Sequence, residues 1–359
     1  MRLLLLTDEP ASFPVQHEVA FLRGSLDRER LQPRHCTLRP STAADLTITA
    51  RGWLDPAAVH RLYRAVRAEG SELIHALDLP TLHYATAVAL VADVPLLVSL
   101  YGATLRRSLE GRTLQRWYWQ ALGRVITRVI VPSDVVRRQL WMATSFPKER
   151  IEVVYPSMSV PAVPHGDAPG RAALDLPDGP LATVITPDEP DDGYDLIFEA
   201  MVRVKQRVGE VHFVCAGDAS IIKGWQRKLS SIRPAPPIRW LPDPPDLNAV
   251  IAASDVILAH PQRETWPSAV ALAALLGKPV VASRAGGVPE IVEPEITGLL
   301  VTPGDVRDFA LQTIRLLTQP TFAERLGADA QTRARQMFAL DKRRDTMTEL
   351  YEATIYATR

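Results

Sequence analysis

Short unbroken apolar runs alternate with longer amphipathic stretches along the whole chain. The runs predict strands at Arg2–Leu6, Leu73–Ala76, Pro95–Leu100, Arg128–Val131 and Ile151–Val154 in the first half. In the second half they fall at Ala182–Ile185, Val211–Ala216, Ile238–Leu241, Val256–Ala259, Pro279–Ala282 and Gly298–Val301. Their apolar residues do not alternate with polar ones, as in parallel strands covered on both faces. Helical periodicity fills the gaps, for example at Pro56–Glu69, Leu114–Arg124, Asp134–Ala143, Asp195–Val208 and Ser268–Leu276. Repeated β-α alternation predicts an α/β chain of doubly wound parallel sheets. The rhythm breaks at Ser157–Gly179, rich in Pro, Gly and Ala, which reads as a linker. One domain is therefore expected at 1–157, a linker at 158–179 and a second domain at 180–340. A helix at 341–359 is expected to pack back on the first domain.

The length of 359 residues agrees with two domains. Lys plus Arg and Asp plus Glu are both 41, so the net charge is zero, which argues against a nucleic-acid partner. Cys36 and Cys215 stand far apart without metal-ligand spacing, so no disulfide framework and no metal ligand is assigned. A reducing cytoplasm is the expected location. The N-terminal leucines run straight into Asp8 and Glu9 and read as a buried strand rather than a signal peptide. No stretch approaches the roughly 18 apolar residues of a membrane span. Proline is high, 30 of 359, against an average of about 5%.

The most specific segment is 259–305, AHPQRETWPSAVALAALLGKPVVASRAGGVPEIVEPEITGLLVTPGD. It resembles the C-terminal signature of retaining family 4 glycosyltransferases of the GT-B fold. That signature has a Glu-led loop and helix, a G-K-P-V-V-A-S strand, a G-G-x-P-E-I-V turn and a T-G-L-L-V-x-P-G-D strand. Weaker blocks keep the family's order: HALD at 75–78, PLLVSLYG at 95–102, VIVPSDVVRRQL at 129–140, ERIEVVYPSMSV at 149–160 and HFVCAGD at 212–218. The resemblance implies two Rossmann-like domains facing across a cleft. It implies a nucleotide-sugar donor and a small-molecule, glycan or lipid acceptor. No cofactor beyond the donor substrate is implied.

Carried over residue by residue, the resemblance makes Glu264 the carboxylate for the donor sugar hydroxyls. Thr265, Trp266 and Ser268 then line the phosphate side at a helix start, and Gly217, Gly286 and Gly287 are the cleft-side glycines. Arg138 and Arg263 are candidate phosphate cations, and Lys278 is another cation near the Glu264 loop. Tyr101 stands where the family carries His and could stack on a sugar ring. Glu264 also reads as a plain helix-start acid, Arg138 as a solvated helix face and Tyr101 as a packed rim residue.

Three departures bear on the donor pocket. The family's Arg and Lys after the first strand of the second domain fall on Pro187 and Asp192, and no cation occurs in 180–202. Asp188, Glu189, Asp191, Asp192 and Asp195 crowd there instead. They read as a solvated acidic turn, with a divalent ion as the alternative. The second family Glu is Leu272, which reads as core. Two functions therefore stay open. One is a retaining hexosyltransferase, which the sequence favours slightly. The other is an inactive GT-B pseudoenzyme serving as a sugar-binding subunit or protein partner. Separately, Arg106, Arg107, Arg112 and Arg116 with Trp117, Tyr118 and Trp119 suit peripheral contact with an anionic membrane. A solvated helix with buried tryptophans is the other reading.

Overall fold

The computed structural model describes residues 1–8, 13–52, 55–100, 119–144, 146–156, 158, 171–187, 192–230, 235–261 and 266–357. They form two compact units. The first joins Met1–Ser157 to Leu340–Arg359, and the second is Met158–Ala339.

The first unit runs β1 (Arg2–Thr7), α1 (Phe13–Ser25), β2 (Gln32–Thr37), β3 (Leu46–Thr47), α2 (Pro56–Glu69), β4 (Leu73–Ala76) and α3 (Leu79–Ala92). It continues with β5 (Leu96–Ser99), β6 (Ile126–Val131), α4 (Asp134–Thr144) and β7 (Ile151–Val153). All strands are parallel in the order β3-β2-β1-β4-β5-β6-β7. The order reverses between β1 and β4. Alternating strand residues feed two cores. Leu4, Leu6, Ile74, Leu96 and Val98 pack with α2, α3 and α4, whereas Leu3, Leu5, Leu73, Leu97 and Ile130 pack with Val15, Val19 and Leu22 of α1.

The second core is completed by α12 (Leu340–Tyr356), the last of the chain's described helices, through Met347, Leu350, Tyr351 and Ile355. Its docking is also polar. Arg343 forms an ion pair with Glu18 of α1, with side chains only 5% and 3% exposed, and the guanidinium lies 4.5 Å from the centre of the Phe21 ring.

The second unit runs β8 (Leu181–Ile185), α5 (Asp195–Arg207), β9 (His212–Gly217), α6 (Ala219–Leu229), β10 (Ile238–Pro242), α7 (Leu247–Ala253) and β11 (Val256–Ala259). It continues with α8 (Ser268–Leu275), β12 (Val280–Ser283), α9 (Val288–Ile291), β13 (Leu299–Val301), α10 (Val306–Thr318) and α11 (Pro320–Met337). Its six parallel strands lie in the order β10-β9-β8-β11-β12-β13, reversing between β8 and β11.

Several differences from the sequence reading have clear causes. β2 and β3 are not among the expected strands, because Gln32-Pro33-Arg34 carries no apolar run. Parallel pairing to β1, Arg2 opposite Gln32 through Thr7 opposite Thr37, makes β2 a strand. Trp119 is 1% exposed and packs in the core with Val136 and Leu140. It therefore corrects the membrane-facing reading at that residue, and Arg106–Tyr118 lie outside the described residues. Arg171, within the expected linker, is fixed to the second unit by a 2.8 Å ion pair to Asp255 and a hydrogen bond to the Ala253 carbonyl. Among the described residues no helix is long and apolar enough to cross a membrane.

Candidate functional site

In a parallel α/β sheet a ligand crevice forms at the carboxyl ends of the strands, where the strand order reverses. In the second unit that place lies between the exits of β8 and β11. Beside it, the exits of β8 and β9 are locked together. Thr186 donates its amide to the Ala216 carbonyl at 2.9 Å, and its Oγ1 accepts from the Asp218 amide at 2.9 Å. Gly217 has φ of 128°, a conformation that glycine tolerates, and a Cβ there would overlap Thr186 Oγ1. The following amides are all engaged within the protein. Ala219 donates to Asp243 at 3.1 Å, and Ser220 and Ile221 donate to Asp218 at 2.8 and 3.0 Å. Hydrogen bonds from the Ser220 side chain and the Ile221 amide hold the Asp218 carboxyl below its ordinary range. Gly217 thus serves the close approach of Thr186 rather than freeing amides for a ligand.

At the exit of β11, His260 is fully buried and hydrogen-bonded through Nδ1 to Ser283 Oγ at the end of β12. Its ring meets Phe309 edge-on at 6.1 Å. This pair levels the two strand ends four residues before Glu264. Gln262–Thr265, which include Arg263 and Glu264, lie outside the described residues. Trp266 is 8% exposed and meets Phe338 in a T-shaped contact at 5.6 Å. The indole is therefore packed inside the second unit.

Ser268 opens α8, and Ala269, Val270, Ala271, Ala273 and Ala274 are buried. Ser268 and Leu272, one turn apart, are both half-buried. Leu272 is therefore not core, in contrast to the sequence reading, and shares the partly open stripe of α8 with Ser268. Gly286 has φ of 54°, and Gly287 precedes the one-turn α9.

The described candidate cations, Lys278 and Arg138, belong to different units. Lys278 precedes β12 and is half-buried with Asp255 and Arg171 as its charged neighbours, so it lies at the amino edge of the sheet, opposite the β11 exit. Burial lowers its pKa first, with Asp255 working against that. Arg138 belongs to the first unit and pairs with Asp134 at 3.0 Å, and Arg137 pairs with the same carboxylate. Of the acidic stretch, Asp195 faces Lys228 at 3.4 Å, and 188–191 lie outside the described residues. Pro187 is buried. Among the described residues no group of three His, Cys, Asp or Glu is placed to hold a metal.

The corresponding reversal in the first unit lies between the exits of β1 and β4. Asp78 accepts there from the Asp8 amide at 2.7 Å and the Thr81 amide at 3.0 Å, capping α3. Burial pushes its carboxyl up to about 6, against the pull of those hydrogen bonds. Tyr101 lies outside the described residues. His75, on β4, is buried between Tyr351 and Ser99. The sequence reading passed over Thr186, Asp218, His260 and Ser283. Their signal was position alone, since each stands at the end of a buried apolar run.

The family model described as Glycosyltransferase Family 4 matches residues 15–159, and that described as Glycosyl transferases group 1 matches residues 182–319. The chain is similar to a D-inositol 3-phosphate glycosyltransferase of Saccharomonospora viridis, with 26% identity over 245 residues. That match covers 65% of this chain and 57% of the relative. It is also similar to an MMP alpha-(1->4)-mannosyltransferase of Mycolicibacterium hassiacum, 33% identical over 111 residues, covering 31% of this chain and 27% of that one. The match thus spans little more than half the length of the first of these relatives and about a quarter of the second. Among solved structures, Anabaena Alr3699/HepE in complex with UDP-glucose superposes with a TM-score of 0.75 at 19% identity, covering 98% of this chain and 100% of that one. Sucrose-phosphate synthase from Thermosynechococcus elongatus does so with a TM-score of 0.74 at 17% identity, covering 99% and 100%.

Proposed function

Because this chain belongs to the GT-B glycosyltransferases, with one family model matched on each unit, we propose that it transfers a sugar from a nucleotide-diphosphate donor to an acceptor hydroxyl with retention. The observation that carries this reading is the placement of the match over 182–319. It falls on a parallel sheet whose strand-order reversal sets the exit of β11 beside that of β8.

Glu264 accepts hydrogen bonds from the donor sugar. The backbone of Thr265, Trp266 and Ser268 lines the phosphate side, and Gly286 and Gly287 let the diphosphate approach closely. Arg263 and Arg138 are the cations proposed from sequence, and Tyr101 stacks on a sugar ring. In the reaction the acceptor oxygen forms the bond to the anomeric carbon on the face from which the diphosphate oxygen leaves. The acceptor proton passes to that leaving oxygen, so no dedicated protein base is required. UDP-glucose in the Anabaena neighbour makes uracil the first base to test. The inositol 3-phosphate relatives make that polyol phosphate the first acceptor to test.

The test is calorimetric titration with UDP, GDP and ADP and their glucose, mannose and GlcNAc conjugates, with and without Mg²⁺. The expected result is saturable binding of one nucleotide, with Glu264→Ala weakening only its sugar conjugate. The half-buried Leu272 in place of a ribose-binding Glu favours the second reading, a non-catalytic scaffold. No heat with any nucleotide, from a chain shown to be folded, would establish that reading and overturn the first.

A further inference from the structure

No Lys or Arg occurs in 180–202, the segment leaving β8, and Lys278 lies at the opposite edge of the sheet. A diphosphate at the β8–β11 reversal would therefore receive no counter-charge from that segment. The carboxyl edge of the same sheet nevertheless carries a cation that the sequence reading left unused.

Arg284 follows Ser283, the last residue of β12. Its amide donates to the Val301 carbonyl at 2.8 Å, so the β12–β13 pairing holds its backbone in place. Immediately afterwards the chain turns sharply, with the Ala285 amide donating to the Ser283 carbonyl at 2.8 Å and Gly286 at φ of 54°. Ala259 pairs with Ala282, and the His260–Ser283 hydrogen bond levels the two exits. Arg284 therefore stands about one strand spacing, 4.7–4.9 Å, from the backbone that leads into Glu264. The Ser283 side chain is buried, whereas Arg284 is exposed. Among the described residues its guanidinium makes no ion pair or hydrogen bond. Arg307, the other exposed arginine leaving these outer strands, lies beyond β13, between the helix cap Asp305 and Asp308.

We infer that Arg284 is a donor-binding residue, supplying to the diphosphate the positive charge that Pro187 and Asp192 cannot. The inference rests on the donor-site reading above. A planar guanidinium offers paired N–H donors to phosphate oxygens, and Arg284 leaves the strand next to β11, whose exit leads toward Glu264 in sequence.

The experiment titrates the full chain, Arg284→Ala, Arg284→Lys and the control Arg307→Ala with UDP, GDP and ADP. It then repeats the binding nucleotide as its monophosphate and nucleoside. The expected result is a roughly ten- to hundred-fold loss of diphosphate affinity in Arg284→Ala, with nucleoside affinity unchanged. Lysine should restore part of the loss, and Arg307→Ala should bind like the wild type. If the wild type binds a nucleotide and Arg284→Ala binds it equally well, the inference falls while the donor site stands. Equal weakening of diphosphate and nucleoside would also overturn it, pointing to a disturbed turn. If the wild type, shown folded by its thermal transition, binds no nucleotide, the donor reading fails and takes the inference with it.

Discussion

His75 Nδ1 lies 2.8 Å from the hydroxyl of Tyr351, although 276 residues separate them in sequence. The other ring nitrogen lies 2.8 Å from Ser99 Oγ. A neutral imidazole can donate through one nitrogen and accept through the other, so the ring joins β4, β5 and the terminal helix α12. Burial, helped by Arg343, lowers its pKa from 6.5 to about 3. In the unfolded chain the same ring takes a proton near pH 6.5. The stability contributed by neutral His75 is complete above that pH and is lost as the pH falls toward 3. His75→Gln should therefore flatten the decline of the first unit's thermal midpoint between pH 7 and 4. A profile parallel to the wild type would show that the ring does not titrate on unfolding.

Asp78 has the opposite sign. Its folded pKa is raised from 3.8 to about 6 by burial. The native state holds a proton that the unfolded state has released, and stability is lost as the pH rises from 3.8 through about 6. Asparagine keeps a capping oxygen for α3 without the buried charge. Asp78→Asn should thus gain more midpoint over the wild type at pH 8 than at pH 4.5. Equal differences at both pH values would refute this.

The Glu18–Arg343 pair predicts strong coupling. Removing one partner of a buried ion pair leaves an uncompensated charge and costs about 3–5 kcal/mol. Arg343→Met and Glu18→Leu should each show a loss of that order in urea unfolding followed in the full chain. The double replacement should recover most of it, because two apolar side chains leave no buried charge. Additive losses would mean that the pair is not coupled.

Gly217→Ala should destabilise the second unit, since both φ and the approach of Thr186 oppose a Cβ. A non-glycine residue held in such a conformation costs about 1–3 kcal/mol. Thr186→Ala in the same chain should return only part of the loss, because the strained φ persists. Full recovery would assign the whole effect to the steric clash.

Gly327 on α11 meets the Gly277 carbonyl so closely that a Cβ would overlap it. Gly327→Ala must push α11 off the turn that joins α8 to β12. Lower urea stability is expected, together with increased hydrogen exchange at the Lys278 and Val280 amides. Unchanged exchange there would place the strain elsewhere.

Most of the expected strands were legible because they are buried apolar runs, which parallel pairing favours, although β10 is only half-buried. β2 was not, since Gln32–Arg34 become strand only through their partner β1. The candidate site was legible as a motif and less so as a geometry. Lys278 and Arg284 flank the same strand, six residues apart, and sequence distance makes Lys278 the nearer of the two to the Glu264 loop. A strand runs from one edge of its sheet to the other, so a residue before β12 and a residue after it lie at opposite edges. The engagement of the amides after Gly217 depended on side-chain geometry from Asp218 and Asp243, which no spacing revealed.

The docking of α12 makes the first unit discontinuous in the chain. During synthesis, residues 158–339 emerge before the helix that covers Leu3, Leu5, Leu97 and Ile130. At about 5–20 residues per second, the first sheet waits roughly 10–40 s with one face uncovered and Glu18 without its arginine. The second unit can fold in that interval, whereas the first is completed only when Leu340–Tyr356 leaves the ribosome. The order of maturation is thus the reverse of the order of the sheets in sequence, and the uncovered face is the surface that a chaperone would meet on the nascent chain.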